Sequence, residues 1–520
     1  MERRRVLWAD DEIDLLKAHI IFLGQRGYDI ISVTNGEDAI QKVKTQDFDV
    51  IFLDEMMAGK TGLETLSVIK TLRPDIPVIM ITKSEEERVM EEAIGAQISD
   101  YLTKPVNPSQ ILSALKKATE LRKISQERMA RDYVQEFHVI SQVASENPNW
   151  KDWMDLHVRM SQWEVELDRF PDLGLDQSLI DQKTQCNTGF AKYVEKYYSD
   201  WVWNRSKDRP FLSVDVVNQY LLPLFRKEKR VLFIVIDCLR LDQWLAIEPM
   251  LYDYFQIQKD YYYSILPTAT PYSRNALFSG KFPSEMETDL PEIWQKSEDD
   301  ELSANRFERQ LLDQQLEKMG IRLHPEPKYV KIIDPTEGSN IARKVSSYFD
   351  FHLVSMVFNF VDMLGHSRTS SDILKEMVPN EAAYRSVLKS WLEHSSLLQI
   401  LKAFSTQDIT VVITSDHGSV RGMKPAKVIS DRDASPNIRY KFGRNLKCDS
   451  KQAVLVSNPE EYRLPRRGIN TTYLIAKEYY FFVYPDNFNK FANLYKGSFF
   501  HGGMSMEEMI LPVITMTGKR

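Results

Sequence analysis

Arg230-Val-Leu-Phe-Ile-Val-Ile-Asp237 is a short apolar run that stops on a carboxylate. A run this short, rich in Val and Ile and without polar alternation, reads as a strand buried on both faces, as in a parallel sheet covered by helices. The same pattern recurs at Ile409-Thr-Val-Val-Ile-Thr-Ser-Asp416 and at Phe351-His-Leu-Val-Ser-Met-Val-Phe-Asn-Phe360. Near the start of the chain it recurs five times, at Arg5–Ala9, Asp29–Val33, Asp49–Leu53, Ile76–Ile81 and Tyr101–Leu102. The expected fold class is therefore α/β, with a five-stranded parallel sheet over residues 1–122 and a larger α/β domain over 208–520.

Between them, over 123–207, the strand signal is missing. Trp153, Leu156, Met160, Trp163, Leu167 and Phe170 recur there at steps of three and four, a helical face expected to form the core of a central helical bundle. No helix-turn-helix with a basic recognition helix is visible in this part. His138 and His157 read as ordinary helix residues.

The 520 residues suffice for several domains, and 43% hydrophobic with 11% aromatic residues exclude a disordered or collagen-like chain. A net charge of −7 without a long single-sign block argues against nucleic acid as a bulk electrostatic partner. Cys186, Cys238 and Cys448 include no C-x-x-C pair, so neither a disulfide framework nor a zinc knuckle is expected, and a reducing, cytoplasmic setting follows. The apolar start ends at Asp10 without a cleavage-site pattern, and no run approaches the ~18 apolar residues of a membrane span.

Asp10 and Asp11 follow the first expected strand, Asp54 ends the third, Thr82 the fourth and Lys104 the fifth. All five belong at one sheet edge, where open parallel sheets bind ligands, and three carboxylates there suit Mg²⁺. A carboxylate beside Mg²⁺ and a lysine can accept a phosphoryl group, with the Thr82 hydroxyl as a donor, which makes Asp54 the acceptor. The order D-D, D-x-x-M, T, K-P resembles the receiver domain of two-component response regulators, with Ala58 where that family usually has proline. The resemblance implies a flavodoxin-like fold, Asp10 and Asp11 as metal-binding acids, Asp54 as the phosphorylated residue, Thr82 and Tyr101 as a switch pair, and Lys104 as the phosphate-binding lysine. It also implies a cognate histidine kinase as phosphodonor.

In the distal domain Asp237, the pair Asp362 and His366, and Asp416-His417 each follow an apolar run, and His501 adds an imidazole near the end. Three Asp and three His suffice for two transition-metal ions, Zn²⁺ or Mn²⁺, clamping a phosphoryl transfer. Thr270 before Pro271 reads as a helix N-cap with proline at N1, where backbone amides and the helix dipole favour phosphate and a bound metal activates the hydroxyl. Arg274, one turn on, is expected to steady phosphate oxygens. Cys238 is rejected as a ligand because adjacent strand residues face opposite ways.

This order, with S-D-H-G and H-G-G, resembles the alkaline phosphatase superfamily and within it the PglZ domain. The resemblance implies that Asp237, Thr270, Asp416 and His417 hold one zinc and that Asp362, His366 and His501 hold the other. Ser273 stands where nucleotide pyrophosphatase relatives carry asparagine. As a whole the chain resembles the receiver–PglZ response regulators associated with type IX secretion in the Bacteroidota. That implies a phosphorylation-dependent homodimer controlling a zinc-dependent phosphodiesterase that acts on nucleotide or oligonucleotide substrates. The alternative is a non-enzymatic, metal-stiffened scaffold binding a sigma factor or a secretion-system component.

Overall fold

The computed structural model describes residues 4–83, 98–203, 208–298, 307–431, 434–466, 468 and 470–519. The chain packs as two compact units, one comprising 1–138 with 166–176 and the other 139–165 with 177–520. Most of the helical middle therefore packs with the distal domain, and the expected boundary at 207 lies outside the described residues. Among the described residues no helix is long and apolar enough to cross a membrane.

The first unit contains β1 (Arg4–Ala9), β2 (Tyr28–Val33), β3 (Val50–Asp54), β4 (Val78–Thr82) and β5 (Asp100–Thr103). They form one parallel sheet in the order β2-β1-β3-β4-β5. The order reverses between β1 and β3, so the carboxyl ends of those two strands open the crevice that receives Asp10 and Asp54. β3 and β4 are buried at every position, which explains their continuous apolar sequences. Beneath Asp54 runs the helix Gly62–Leu72, started by a reciprocal capping box between Thr61 and Glu64. Gly62 is required there, because a Cβ would stand 2.4 Å from the Asp54 carbonyl oxygen.

In the second unit β6 (Arg230–Ile236), β7 (Phe255–Tyr263), β8 (Lys328–Ile332), β9 (Leu353–Phe358) and β10 (Ile409–Thr414) precede a long excursion. The excursion holds β11 (Val420–Arg421), β12 (Lys424–Lys427), β13 (Tyr440–Gly443), β14 (Ala453–Val456), β15 (Thr472–Ala476), β16 (Tyr480–Val483) and β17 (Phe499–Phe500). β18 (Ile510–Gly518) then re-enters the main sheet, ordered β7-β18-β10-β6-β9-β8, with β18 antiparallel to both its neighbours. The three strands legible in the sequence are the central parallel ones. β8 carries lysines at an edge, β7 is half-exposed, and Pro512 interrupts β18, so none of these shows the buried-strand pattern.

The helix Trp150–Leu167 carries the expected stripe as far as Leu167, whereas Phe170 lies beyond its end, capping the turn Pro171–Leu173; the helix Asp176–Trp203 follows. Trp153, Leu156, Met160 and Leu167 are buried, and Trp163 and Phe170 are half-buried. The second helix is tied to the distal fold by side chains. Asn187 donates to Glu507 (2.9 Å) and accepts from the Met506 amide (2.9 Å), and the Tyr198 hydroxyl accepts from the Leu266 amide (2.7 Å). A buried ionic cluster joins Lys183 to Glu164 (2.7 Å) and Glu507 (3.1 Å), and Asp242 to Arg240 and Arg385 (2.7 Å each).

Candidate active site and phosphoacceptor pocket

The strand order of the first unit gathers the sequence-nominated residues at one edge. Lys104 Nζ lies 3.0 Å from Asp10 and 3.1 Å from Asp54, and carboxylate oxygens of Asp10, Asp11 and Asp54 lie within 4.8 Å of one another. Asp10 and Asp54 are buried while Asp11 is exposed, so the cluster is open on the Asp11 side. Burial pushes Asp54 up to about 6; the Lys104 hydrogen bond opposes this, and the charges of Asp10 and Asp11 add to it. Three oxygens facing one point, with a single lysine against them, suit a hard divalent cation.

The Thr82 hydroxyl donates to the carboxylate of Glu55, the half-buried residue after Asp54, which the sequence reading did not single out. Tyr101 is 40% exposed at the end of the sheet.

In the second unit, strand ends and the return of β17 bring six candidate ligands into two groups. Ligand atoms of Asp237, Asp416 and His417 lie within 4.8 Å of one another, as do those of Asp362, His366 and His501. The first group is fully buried, whereas His366 is exposed, so the pair of groups runs inward from the surface. His417 Nε2 stands 3.6 Å from both Asp237 and Asp416. His366 Nε2 lies 3.1 Å from His501 Nε2 and 3.3 Å from Asp362. Two imidazole nitrogens that face each other and one carboxylate have room for a single proton between them, a donor set better satisfied by a metal ion.

Thr270 Oγ1 lies 3.0 Å from His417 Nε2. The other nitrogen, Nδ1, faces the Gly418 carbonyl at 3.2 Å; a carbonyl only accepts, so Nδ1 carries the proton and Nε2 is the lone-pair side. The Thr270 hydroxyl therefore donates to Nε2. Gly418 is obligatory, since a Cβ would stand 1.9 Å from the Glu507 carbonyl oxygen.

Ala269 is the N-cap of the helix Thr270–Ser279, with proline in its first turn, so Thr270 sits one position inside the expected cap. Pro271 has no N–H, and the Tyr272 and Ser273 amides both bond the Ala269 carbonyl (2.9 Å each). The helix thus offers its dipole, rather than the expected free amides of these residues, to an anion.

Arg274 departs further from expectation. It is completely buried, with Nε 2.9 Å from Asp416, Nη2 against Asp237 and Nη1 3.5 Å from Glu308. Instead of reaching for phosphate oxygens, it braces the carboxylates from beneath, because three buried acids require a cation. Glu308 also accepts from the Tyr329 hydroxyl, and Asn359 donates to Asp237 (3.0 Å). Neither Glu308 nor Asn359 bears a motif, and the sequence reading missed both.

Burial raises Asp237 to about 7 against the opposing charge of Arg274. Burial also works to raise Asp416, but Arg274 and His417 outweigh it and leave that carboxyl below its ordinary value. At the outer group burial pushes His501 down to about 3, with the His417 charge adding to the effect. Asp362 lies well below the usual carboxylate range, because its histidine partners outweigh burial.

His501 is held by its own loop. Thr268 donates to the Gly503 carbonyl (2.8 Å) and accepts from the Gly502 amide (3.1 Å), joining the segment before Thr270 to the segment after His501. Gly502 has φ +109°, and a Cβ at Gly503 would meet the Arg439 guanidinium at 2.2 Å, which accounts for the Gly-Gly pair. Cys238 stands outside both groups. The strand has already ended at Ile236 and Cys238 has φ +66°, so the turn, rather than strand alternation, decides its direction. Ser273 turns its hydroxyl back to the Ala269 carbonyl (3.0 Å).

Three family models match the chain. Residues 6–116 match the response regulator receiver domain, 123–202 the PorX response regulator linker domain, and 216–516 the BREX system PglZ alkaline phosphatase-like domain. Among curated proteins, the alkaline phosphatase synthesis transcriptional regulatory protein PhoP of Bacillus subtilis is 31% identical over 115 residues, 22% of this chain and 47% of that protein. The transcriptional regulatory protein ZraR of Klebsiella oxytoca is 30% identical over 139 residues, 27% of this chain and 31% of that protein. The chain thus spans less than half the length of either relative. Among solved structures, a CheY-like receiver domain protein from Methanospirillum hungatei is 24% identical and covers 24% of this chain and 98% of its own, with TM-score 0.23. The receiver domain of a LuxO repressor protein from Vibrio parahaemolyticus is 26% identical and covers 24% of this chain and 95% of its own, with TM-score 0.23.

Proposed function

Because the chain belongs to the PglZ family of alkaline phosphatase-like proteins and carries a receiver and a PorX linker ahead of that domain, as a PorX-type regulator does, we propose that it is a phosphorylation-governed, metal-dependent phosphoric ester hydrolase. The observation that carries this reading is the Thr270 hydroxyl, 3.0 Å from the lone-pair nitrogen of His417, at a helix N-terminus beside the inner group of ligands.

In this reading Asp237, Asp416, His417 and Thr270 hold one zinc ion, Asp362, His366 and His501 hold a second, and Asp10, Asp11 and Asp54 hold Mg²⁺. When bound, the zinc ions neutralise charge on the transferred phosphoryl oxygens and lower the pKa of the coordinated hydroxyl. The chain's own residues do the rest. Thr270 Oγ1 attacks phosphorus as the bond to the ester's leaving oxygen breaks, a water then hydrolyses the phosphothreonine ester to free Thr270, and the dipole of the helix Thr270–Ser279 favours the developing anion. His417 Nε2, the acceptor of the Thr270 hydrogen bond, turns its lone pair to the metal when one is bound. Arg274 keeps the two inner carboxylates in register. A diester carries one charge fewer than a monoester at the reacting phosphorus, which suits a site whose arginine is spent on carboxylates. Phosphodiesters of nucleotide or oligonucleotide type are therefore placed first as substrates.

In the receiver, the same reading makes Asp54 the residue phosphorylated by a histidine kinase, Lys104 the group that pairs with the phosphate, and Thr82 and Tyr101 the pair that reports it through a phosphorylation-dependent dimer. By the resemblance to PorX-type regulators, the output assigned to this cytoplasmic chain is control of type IX secretion.

The test is hydrolysis of bis-p-nitrophenyl phosphate against p-nitrophenyl phosphate by zinc-loaded wild type and Thr270→Val, with and without beryllofluoride on Asp54. Expected are diester preference, loss of roughly 10³-fold or more of turnover in Thr270→Val at equal zinc content, and a change in rate on adding beryllofluoride. No turnover from fully metallated protein would replace this reading with a scaffold that binds a sigma factor or secretion-system component.

A further inference from the structure

A cavity of about 860 Å³ opens in the helical segment, lined by the turn around Asn147–Trp150 and by the helix Asp176–Trp203. Its floor is aromatic. Tyr193, Tyr197 and Trp201 recur at every fourth position of that helix, with centroids 4.7 Å apart for Tyr193–Tyr197 and 5.8 Å for Tyr193–Trp201. From the helix Trp150–Leu167, Trp153 meets Tyr193 at 6.4 Å. Gly189 admits that indole, since a Cβ there would stand 2.8 Å from the ring.

The rim is cationic. Lys151, Lys192 and Lys196 line the opening, and among the described residues none of the three has a carboxylate within ion-pair distance. Two of their ammonium groups lie against rings instead, Lys151 at 5.2 Å from the Trp150 centroid and Lys196 at 4.9 Å from that of Tyr197. The remaining cation, Arg209, is spent on a bidentate pair with Asp215 (2.7 and 3.0 Å). Asp200 and Asp208 add acceptors on the wall.

Tilted aromatic rings beside ammonium groups that form no ion pair among the described residues select a ligand with one flat heteroaromatic part and one anionic part, and the volume is that of a small-molecule site. We propose that this cavity binds a nucleotide, its base on the Tyr193–Tyr197–Trp201 stripe and its phosphate at Lys192 and Lys196. An acidic peptide would use the lysines and leave the rings without a partner, so the aromatic floor favours the nucleotide. The site lies in the linker segment, apart from the metal ligands, and does not depend on the hydrolase reading.

The test uses the full chain with Thr270→Val, in EDTA so that nucleotide cannot ligate metal at the active site. AMP is titrated in, followed by tryptophan fluorescence and calorimetry. Expected is saturable binding of one AMP per chain, with adenosine and inorganic phosphate each binding more weakly. Lys192→Glu/Lys196→Glu is expected to raise the Kd at least about tenfold, and Tyr197→Ala to weaken binding with charge unchanged. With Thr270 intact and zinc restored, the double-lysine variant is expected to hydrolyse bis-p-nitrophenyl phosphate at the parental rate. Absence of saturable AMP binding, an affinity indifferent to both variants, or tighter binding of a glutamate-rich peptide than of AMP would each overturn the proposal.

Discussion

The rings of His417 and His501 stack face to face, centroids 4.3 Å apart and planes 22° from parallel, although the two residues belong to different ligand groups. Each imidazole is thus a packing surface for the other, and one aromatic contact bridges the two groups. Truncating one ring removes a ligand from its own group and the wall of its neighbour. His501→Ala is expected to lose zinc from both groups rather than from one. Metal analysis after dialysis checks this, with His366→Ala, whose ring lies at the exposed end, as the variant expected to deplete only the outer group.

Among the described residues, Arg274 is the one guanidinium in contact with both inner carboxylates, which His417 Nε2 approaches only to 3.6 Å. Replacing it by leucine takes the guanidinium from three buried acids, leaving Asp237 and Asp416 with the His417 imidazole at 3.6 Å and Glu308 with Lys331 at 3.9 Å. Arg274→Leu is expected to destabilise the metal-free protein by about 3–5 kcal/mol, the usual cost of orphaning buried charge. The loss is expected to be smaller in zinc, which supplies positive charge at the same carboxylates. Denaturant unfolding in EDTA and in zinc measures both.

His157 is 2% exposed, and among the described residues neither ring nitrogen has a hydrogen-bond partner. Burial pushes it down to about 4 from its ordinary 6.5, with the Glu507 charge opposing and that of Lys183 adding. Below pH 6.5 the unfolded chain takes up a proton that the folded chain refuses until about 4, so stability falls as pH falls through that window. The contribution lost is roughly 3 kcal/mol. Glu164, in the same cluster and raised by burial to about 7, acts in the opposite sense, losing stability as pH rises from 4.5 to 7. The difference between wild type and His157→Leu cancels Glu164, and the variant's advantage is expected to grow as pH drops from 7 to 4.5 in urea unfolding.

Lys104 pairs with the Asp54 carboxylate at 3.1 Å and opposes the effect of its burial. Lys104→Ala is expected to leave the Asp54 carboxyl still higher than about 6 and to slow phosphorylation by acetyl phosphate at least about tenfold at pH 7, since both the ionised acceptor and its charge partner are diminished. Phosphate-affinity electrophoresis against pH separates the two causes. Recovery at high pH reports the ionisation, and the remainder reports the missing ammonium.

Much of this was legible because parallel sheets place chemistry at strand ends. Asp54, Asp237 and Asp416 each terminate or closely follow a buried run, and the runs are conspicuous. What sequence reasoning lacked were residues that act through packing. Glu308 sits in a helix with no strand beside it in sequence, Asn359 is one amide among many, and Glu55 looks like surface polarity beside Asp54. The sequence shows Arg274 as a first-turn neighbour of Thr270 but not as the partner of Asp237, Asp416 and Glu308. Helix spacing puts it near Thr270, yet only the folded chain shows that the acids beneath claim its charge. The small sheets between β10 and β18 were missed because their strands are two to five residues long, too short for a periodic signal.

The hydrogen bond from the Leu266 amide to the Tyr198 hydroxyl bears on how such regulators are assembled over time. Tyr198 is fully buried, and the segment it secures leads directly to Thr270. A gene fusion that grafted residues 208–520 onto a foreign sensor module would leave that amide, the Met506 amide and the Glu507 carboxylate without their helical partners. The inheritable cassette is therefore the helix together with the alkaline phosphatase-like fold, and domain shuffling is expected to cut the chain upstream of Asp176 rather than at the junction near 207.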